Sequence, residues 1–408
     1  MATWKHRQKQ HTCGATVDRA HVRLPTDVLL EIVARSDLCT FVRCAAVCKH
    51  LRRDILSPPF IHRITKLAAP CILADISTYD AQELLALVHP ATPVAASFCH
   101  NQLLPFIGRN ADTDFLLRGS LVTSRRGLVV LCCFRIQSER LFPLCVYDPM
   151  TGHRSLLSRP RDVQRNHSSV RVYVLLTAAD GIDDTFMLLV ADLGTHSIQV
   201  QTTTSSSGGT WEDVFHVSHL DFPWSSVNTR NNPAVLHGGV IHWLSYESNQ
   251  ILTYNAVKRT AGLMKLPPKL PPTNRNANPL YLATSPDGNL LKLLSIDGFM
   301  ISMWLQLSMF PTGAGDAGGG WALATVIDIE DKLHSLYPEI SADVPVEFKE
   351  SGSGNRSGDV VLLMLSIGFG RCVVLDLETK EMHKQERASI LLEIDLQSHM
   401  QTMKVFPS

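Results

Sequence analysis

Apolar and polar positions repeat with a spacing of four near the start of the chain. In residues 24–35 apolar residues recur at Val28, Leu29, Ile32 and Val33. Charged residues recur with the same spacing on the other side, at Asp27, Glu31 and Arg35. Because residues four apart share one face of a helix, this pattern predicts an amphipathic helix with one apolar and one charged side.

Further short helices are predicted downstream. A second helical pattern is formed by Phe41, Val42, Ala45, Ala46, Val47 and Leu51. The sequence Ser57-Pro58-Pro59 ends it, because proline lacks the N–H that a helix interior needs. More short helices are predicted around Ile61–Leu67 and Ala81–Val88.

From about residue 95 the pattern changes to short apolar runs separated by clusters of Gly, Asn, Asp and Pro. Strands at this density, with turn signals between them, predict an all-β domain. A helical pattern returns only at "SILLEIDLQ" (389–397). The predicted strands include "GLVVLCCF" (127–134), "VRVYVLLT" (170–177), "TFMLLVA" (185–191), "SIQVQTTT" (197–204), "GVIHWLSY" (239–246), "NLLKLLSI" (289–296), "MISMWLQL" (300–307) and "DVVLLMLS" (359–366).

A weak repeat runs through these strands. Gly127, Gly239 and Gly358 each precede an apolar strand, a second strand and a short turn. The turns are "VYDPMTG" (146–152), "TYNAVKR" (253–259) and "VLDLETK" (374–380), and "SPDGNLLKLL" (285–294) resembles the start of a fourth unit. Repeating antiparallel units favour a β-propeller, because radial repetition protects strand edges. The irregular period leaves a stacked pair of β-sandwiches as the alternative.

Composition narrows the class of protein. The formal net charge is zero and charged residues make up 19% of the chain, so neither nucleic acid nor an anionic membrane is indicated as a partner. No apolar run approaches the ~18 residues of a membrane helix. Residues 1–20 lack the apolar core of a secretory signal and are predicted to be a disordered tail. The ten cysteines include no CxxC pair, which is typical of a reducing compartment, the cytoplasm or nucleus.

Residues 24–63 resemble an F-box. The resemblance is carried by Leu24-Pro25, Val28-Leu29, Ile32-Val33, Arg35, Val47-Cys48-Lys49 and Pro59-Phe60. Two positions depart from the family pattern: Ser36-Asp37 replaces a Leu-Pro pair, and Leu51 replaces a tryptophan. Since leucine offers less contact area than tryptophan, the second departure implies a lower affinity for the adaptor.

The remainder resembles the F-box-associated β domain of large plant F-box families, on "SRRGLVVLCC" (124–133) and "VYDPMTGHRSLL" (146–157). Together the two resemblances imply an α+β multidomain protein, a small helical F-box followed by a large all-β, propeller-like domain. The expected division is a tail at 1–20, the F-box at 21–64, a helical linker at 65–95 and the β domain at 96–408.

The resemblance implies a function as the substrate receptor of a Skp–cullin–F-box ubiquitin ligase, without catalysis or a cofactor of its own. The F-box would bind a Skp-type adaptor, and through it a cullin, while the β domain would bind a target protein. The adaptor contacts it implies are Leu24, Pro25, Val28, Leu29, Ile32, Val33, Val47 and Leu51. Physical reasoning agrees, because about 40 residues of helix bury little by themselves and their apolar face needs a groove. That groove could belong to a partner or to the chain's own β domain.

Other chemistry is weakly indicated. There is no G-x-S-x-G motif, and the glycines of 313–320 lack the Gly-Lys-Ser/Thr of a phosphate loop. No set of residues has metal-ligand spacing on a scaffold. A hydrolase-like propeller enzyme and a scaffold that dimerises through its helices are the alternative functions. Trp211, Trp224 and Trp321 lie beside predicted loops and are candidate target contacts, whereas Trp243 and Trp304 lie within strands and are predicted to be core.

Overall fold

The computed structural model describes a little over half of the chain. The described residues are 24–34, 44, 49–55, 57, 60, 72–76, 85–89, 119–133, 144–149, 152–161, 170–193, 197–218, 233–245, 250–268, 270, 280–285, 288–307, 320–341, 344–349, 360–366, 371–385 and 391–394.

Three α-helices are described. They are α1 (Thr26–Ala34), α2 (Lys49–Ile55) and α3 (Glu330–Leu336). The predicted first helix is confirmed, and α2 covers the end of the second pattern before the Ser57-Pro58-Pro59 break. None of the helices in the described part of the chain is long and apolar enough to cross a membrane.

The strands form a β-propeller with five four-stranded blades. Blade 1 follows the first two strands, β1 (Ile72–Ile76) and β2 (Leu85–His89), and contains β3 (Gly119–Arg125), β4 (Leu128–Cys133), β5 (Leu144–Tyr147) and β6 (Arg154–Leu157). Blade 2 contains β7 (Val170–Thr177), β8 (Phe186–Leu193), β9 (Ser197–Thr204) and β10 (Phe215–Ser218). Blade 3 contains β11 (Ala234–Leu236), β12 (Val240–Ser245), β13 (Gln250–Asn255) and β14 (Thr260–Lys265).

Two more blades and a final strand complete the sheet topology. Blade 4 contains β15 (Leu280–Thr284), β16 (Leu291–Asp297), β17 (Met300–Gln306) and β18 (Trp321–Asp328). Blade 5 contains β19 (Val346–Lys349), β20 (Val360–Leu365), β21 (Arg371–Asp376) and β22 (Met382–Gln385). The last strand, β23 (Leu391–Ile394), forms a three-stranded sheet in the order β2-β1-β23, which we call the closing sheet. Every blade is an antiparallel meander, so the propeller prediction is confirmed over the sandwich alternative.

Side chains alternate along each strand, and both resulting faces of a blade carry apolar residues. One face of β12 and β13 places Trp243, Leu252 and Tyr254 against blade 2, while the opposite face places Leu244 and Ile251 against blade 4. A similar cluster joins blades 1 and 2, and another joins blades 4 and 5. The core of the domain is therefore a series of packed layers between blades.

Two sequence expectations are wrong. The helix expected over Ala81–Val88 is a strand in its described part, β2, and the helical pattern of 389–397 contains the strand β23. Both strands pair with β1, antiparallel in each case. Short apolar segments fit helix and strand patterns equally well, so the pairing with a distant strand decides the structure. The "helical linker" of 65–95 therefore contains two strands.

The predicted repeat corresponds to the turn between the third and fourth strands of blades 1, 3 and 5. In two of these turns an Asn or Asp side chain accepts two backbone N–H groups. Asn255 Oδ1 accepts from Val257 and Lys258 at 3.0 and 2.7 Å, and Asp376 Oδ1 accepts from Glu378 and Thr379, both at 2.9 Å. The Asp/Asn signal in the sequence thus reports a real hydrogen-bonding requirement of the turn.

A buried charged group, which we call the Asp180 cluster, joins the first three blades. Arg125, at the end of β3, donates from Nε to Asp180 Oδ2 at 2.8 Å and from Nη2 to Oδ1 at 2.5 Å. Arg126 Nη2 lies 3.3 Å from the same carboxylate. Thr177 donates to Asp180 from its backbone and its hydroxyl, at 2.8 and 3.1 Å. In blade 3, the Gly238 N–H donates to the Asp180 carbonyl at 2.7 Å.

The charge state of Asp180 follows from these contacts. Burial by itself raises the pKa of the carboxyl group, but the charges of Arg125 and Arg126 and the hydrogen bonds from Arg125 and Thr177 outweigh it. Its pKa is therefore held well below the ordinary value. The close approach of Gly238 to Asp180 also explains why a glycine follows at position 181. Gly181 has a φ of 84°, and a Cβ there would lie 3.2 Å from the Gly238 nitrogen.

We expect Asp180→Asn to lower the free energy of unfolding by about 3–5 kcal/mol, because it removes the carboxylate that neutralises two buried guanidinium groups. Chemical denaturation measures this change. Asp213→Asn is the matched control, since Asp213 pairs with Arg161 at 2.7 Å where both side chains are exposed, and surface pairs contribute little. Equal decreases in the free energy of unfolding of the two variants would contradict the conclusion that the buried ion pair contributes more than the exposed one.

A second prediction concerns pH and His242, which lies on the side of β12 that faces blade 4. Burial lowers the pKa of His242 to about 4, and hydrogen bonding to the backbone of Ala234 and Val240 offsets this only in part. The unfolded chain therefore binds a proton on this side chain below about pH 6.5 while the folded chain does not. We expect stability to fall by about 3 kcal/mol between about pH 6.5 and 4 from this group alone.

The control for this pH dependence is His242→Leu, an apolar side chain that does not titrate. Its unfolding free energy, measured by denaturation across the same pH range, is expected to vary less than that of the unaltered protein. The Asp180 carboxylate titrates in a separate window, since a lowered pKa removes its stabilisation only below about pH 4. If the unfolding free energy of His242→Leu varied with pH as much as that of the unaltered protein, His242 would not be the source of the pH dependence.

Candidate adaptor-binding surface

One face of α1 remains exposed in the folded chain. Leu24, Val28 and Ile32 lie at a spacing of four, and their exposed fractions are 48%, 41% and 52%. The helix places them in one line, since the Leu29 N–H donates to the Pro25 carbonyl at 3.1 Å and so begins the helix just after Leu24. We call Leu24, Val28 and Ile32 the apolar row.

The opposite side of α1 supports a small core. Val33 is buried and Leu29 is half-buried, and α1 contacts α2. Ile55 of α2 and Phe60 are also buried. One apolar side of α1 is therefore covered, whereas the apolar row is exposed.

The remaining predicted adaptor residues divide into three groups. Pro25 is exposed beside the apolar row, and Leu51 is half-buried on α2. Val33 is buried rather than exposed on the surface. Val47 lies outside the described residues.

Both described helices of the module also expose charged residues. Asp27 is exposed in the first turn of α1, where its charge suits the positive end of the helix dipole. Lys49 and Arg53 are exposed on α2, and Arg53 lies 3.6 Å from Asp54. Protein-binding surfaces commonly combine exposed apolar residues with polar and charged ones.

The predicted target contacts have a different environment. Trp211 is only 6% exposed, and its indole N–H donates to the Ser158 carbonyl of blade 1 at 2.6 Å. Trp321 is half-buried at the start of β18 and donates in the same way to the Lys265 carbonyl of blade 3, at 2.9 Å. Both indoles thus join their own blade to the preceding one. Trp224 lies outside the described residues, and Trp243 is buried as predicted.

Exposed apolar side chains also occur on the outer strands of the propeller, which sequence reasoning did not identify. Leu323 and Val326 of β18 and Leu263 of β14 are examples. The alternation signal is weak in these strands because one side faces solvent, and the sequence does not show which strand is outermost.

Within the described part of the chain, no group of three or more His, Cys, Asp and Glu side chains is placed to hold a metal ion. Two carboxylates in turns of the propeller accept hydrogen bonds from nearby groups. Asp376 caps its own turn, and Asp184 Oδ1 accepts hydrogen bonds from the Ser205 hydroxyl and the Ser206 N–H, both at 3.1 Å.

Comparison with known families gives two matches. The family described as "Domain of unknown function (DUF7595)" matches residues 110–406, and the F-box domain matches residues 22–63. The F-box predicted from residues 24–63 is thereby confirmed. The finer likeness of the β domain to plant F-box-associated domains stays a prediction. Comparison with curated proteins gives no match.

Solved structures with some similarity include three bacterial proteins. Virginiamycin B lyase from Staphylococcus aureus is 12% identical, with 65% of this chain and 68% of that chain covered and a TM-score of 0.33. PQQ-bound aldose sugar dehydrogenase from Streptomyces coelicolor is 11% identical, covers 65% and 83%, and has a TM-score of 0.34. A protein from Lactobacillus plantarum is 11% identical, covers 65% and 71%, and has a TM-score of 0.33. At these values none of the likenesses bears on function.

Substitution of Trp211 tests whether this residue stabilises the contact between blades 1 and 2. We expect Trp211→Phe to lower the unfolding free energy by about 1–2 kcal/mol, through the lost hydrogen bond, and Trp211→Ala by about 3–5 kcal/mol, through the added cavity. Denaturant unfolding of the two variants separates these effects. Wild-type stability in Trp211→Ala would show that the ring does not hold blades 1 and 2 together.

Proposed function

The chain belongs to the DUF7595 family and carries an F-box, and from this premise we propose that it is the substrate receptor of a Skp–cullin–F-box ubiquitin ligase. The F-box binds a Skp-type adaptor, the adaptor connects to a cullin, and the propeller binds the protein to be modified. F-box domains generally bind adaptors of this type, and the selection of a target by the propeller is the finer part of the proposal.

The apolar row is the observation that carries the proposal. Leu24, Val28 and Ile32 are each more than two fifths exposed, although they lie on a helix whose other side is already packed. A row of apolar side chains at i, i+4 and i+8 is the surface that helix-in-groove recognition uses. Its burial by an adaptor would remove three large side chains from water at once.

The role of the propeller follows from its architecture. It is a rigid stack of blades with apolar interiors, and loops on such a scaffold commonly bind partners. In the proposed complex the chain brings a target close to the ubiquitin-transferring subunits, so it contributes proximity rather than chemistry. Such ligases work in the cytoplasm and nucleus, which agrees with the scattered cysteines of the sequence and the lack of a CxxC pair among them.

The alternative functions predict different uses of the apolar row. A scaffold that dimerises through its helices would also bury the apolar row, but against a second copy of the chain. A propeller enzyme would make no use of the row. Binding of a purified Skp-type adaptor therefore separates the three functions.

We expect Val28→Asp combined with Ile32→Asp to abolish adaptor binding, because two carboxylates would be buried at the centre of the contact without partners. The loss should exceed about 100-fold in affinity, as for other interface hot spots. Co-purification with a recombinant Skp-type adaptor, followed by titration calorimetry, measures it.

Thr26→Asp is the control for an added carboxylate, since it places one such charge at an exposed position of α1 outside the row. Both variants should keep the unfolding transition of the β domain. Leu29 is unsuitable for this purpose, because it is half-buried and its change would disturb the module itself. Undiminished adaptor binding by the double variant would rule out the proposed surface, and loss of self-association instead would favour the scaffold.

A further inference from the structure

The outer edge of blade 4 differs from the outer edges of the other four blades. Its last strand, β18, has eight residues, and residues 321–327 of this strand carry no charge. The outer strands of blades 1, 2 and 5 have four residues each, and the six-residue β14 of blade 3 contains Gly262 and ends with Lys265. Natural sheets protect an open edge by short strands or charged side chains, so β18 is the least protected outer strand in the described part of the chain.

The backbone edge of β18 that points away from the blade is open. In the described part of the chain β18 pairs only with β17, on its inner side. Two large apolar side chains of this strand, Leu323 and Val326, are 49% and 42% exposed. An extended strand laid beside such an edge forms hydrogen bonds with its backbone groups and covers its side chains, so the edge is a surface for strand addition.

A register shift in β18 places the two exposed side chains on the same side of the sheet. Leu323 pairs with Trp304 and Val326 pairs with Ser302, whereas Ala324 is left out of the pairing. Because Trp304 and Ser302 are two residues apart on β17, they point to one side of the sheet, and their partners point to that side as well. Leu323 and Val326 therefore form an exposed apolar pair although they are three residues apart in sequence.

The exposed pair makes β18 complementary to itself. When two copies of the strand lie antiparallel with Leu323 of each copy opposite Val326 of the other, four apolar side chains meet on one side of the joined sheet. In the same register Asp328, the only charged residue of the strand, lies opposite Trp321, so the two carboxylates are at opposite ends of the contact. We propose that a second copy of the chain occupies this edge, and that two propellers join through their β18 strands into a twofold-symmetric dimer.

The size of the contact predicts a weak dimer. Two eight-residue strands bury less than the ~1,000 Å² of a stable interface, so the dimer forms reversibly and depends on concentration. An extended segment of another protein would use the same backbone groups, whereas a second copy also brings the matching apolar pair in the same register. The contact does not use the apolar row, so it neither requires nor excludes the proposed receptor function.

Val326→Lys tests the dimer in the full-length chain. Sedimentation velocity between about 1 and 200 µM should show a reversible monomer–dimer equilibrium in the unaltered chain. Val326→Lys should raise the dissociation constant at least about tenfold, because it places two like charges in the contact. Leu263→Lys is the matched control, since it makes the same change at an exposed apolar residue of the outer strand β14, and it should leave the constant unchanged.

Two results of this experiment would overturn the proposal. One is a monomer at every concentration, and the other is a dimer that Val326→Lys leaves intact. A dimer that persists in Val326→Lys and is lost in Val28→Asp with Ile32→Asp would belong to the helices instead. Adaptor binding is measured separately, and its failure in the unaltered chain would remove the receptor function and leave the β18 dimer standing.

Cysteine cross-linking provides an independent measurement should the lysine variant fail to fold. A mixture of the Leu323→Cys protein with the Val326→Cys protein places two cysteines at paired positions of different chains, where Cα atoms are close enough for a disulfide. Mild oxidation should join two peptides that both contain residues 321–328 in the mixture. Neither variant alone should give this product, since identical positions lie on opposite sides of the twofold axis. Absence of the cross-link from the mixture would rule out the proposed register.

Discussion

Apolar packing between neighbouring blades is the interaction on which the rest of this structure depends. A four-stranded sheet with apolar side chains on both faces cannot be stable in water alone, because each face needs a cover. Each blade covers an apolar face of the next blade along the chain. In blade 3, Trp243 and Leu252 pack against blade 2, and Leu244 and Ile251 pack against blade 4. A chain built in this way must close on itself, since an open series would leave one face uncovered at each end. The closing sheet follows from that requirement.

Polar contacts then fix the blades at their edges. The Asp180 cluster and the N–H of Gly238 connect three blades, and the N–H of His237 donates to the carbonyl of Gly288 in blade 4 at 2.8 Å. On the outer side, Trp211 and Trp321 each donate an indole N–H to the preceding blade. Apolar packing supplies most of the stability but little directional preference, whereas these hydrogen bonds and ion pairs specify how each turn meets the next.

The sequence predicts the inner strands well and the outer strands poorly, for a physical reason. Strands such as β7 and β20 are apolar on both faces, so "VRVYVLLT" and "DVVLLMLS" stand out as continuous runs. Outer strands such as β6 and β22 are short and partly exposed, and their residues carry no such signal. The segments at 81–88 and 389–397 fit a helical pattern but contain strands, because a short apolar run contains no information about a partner far away in sequence. At the candidate site, the four-residue spacing of apolar residues in α1 predicts the apolar row. Trp211 instead donates a hydrogen bond to the Ser158 carbonyl, 53 residues away, and a local sequence pattern contains no sign of such a partner.

The apolar row differs in kind from the exposed apolar residues of the propeller. Single exposed side chains such as Leu156 are normal on a soluble protein and need no partner. Leu323 and Val326 lie on a large domain whose stability comes from its blades, so their exposure costs a small part of the total. The helical module has much less buried apolar surface to stabilise it, since its described buried residues are few and include Val33 and Ile55. Leaving three large residues in line on its surface is therefore a cost that the module bears in isolation, and a polypeptide that covered the row would offset this cost.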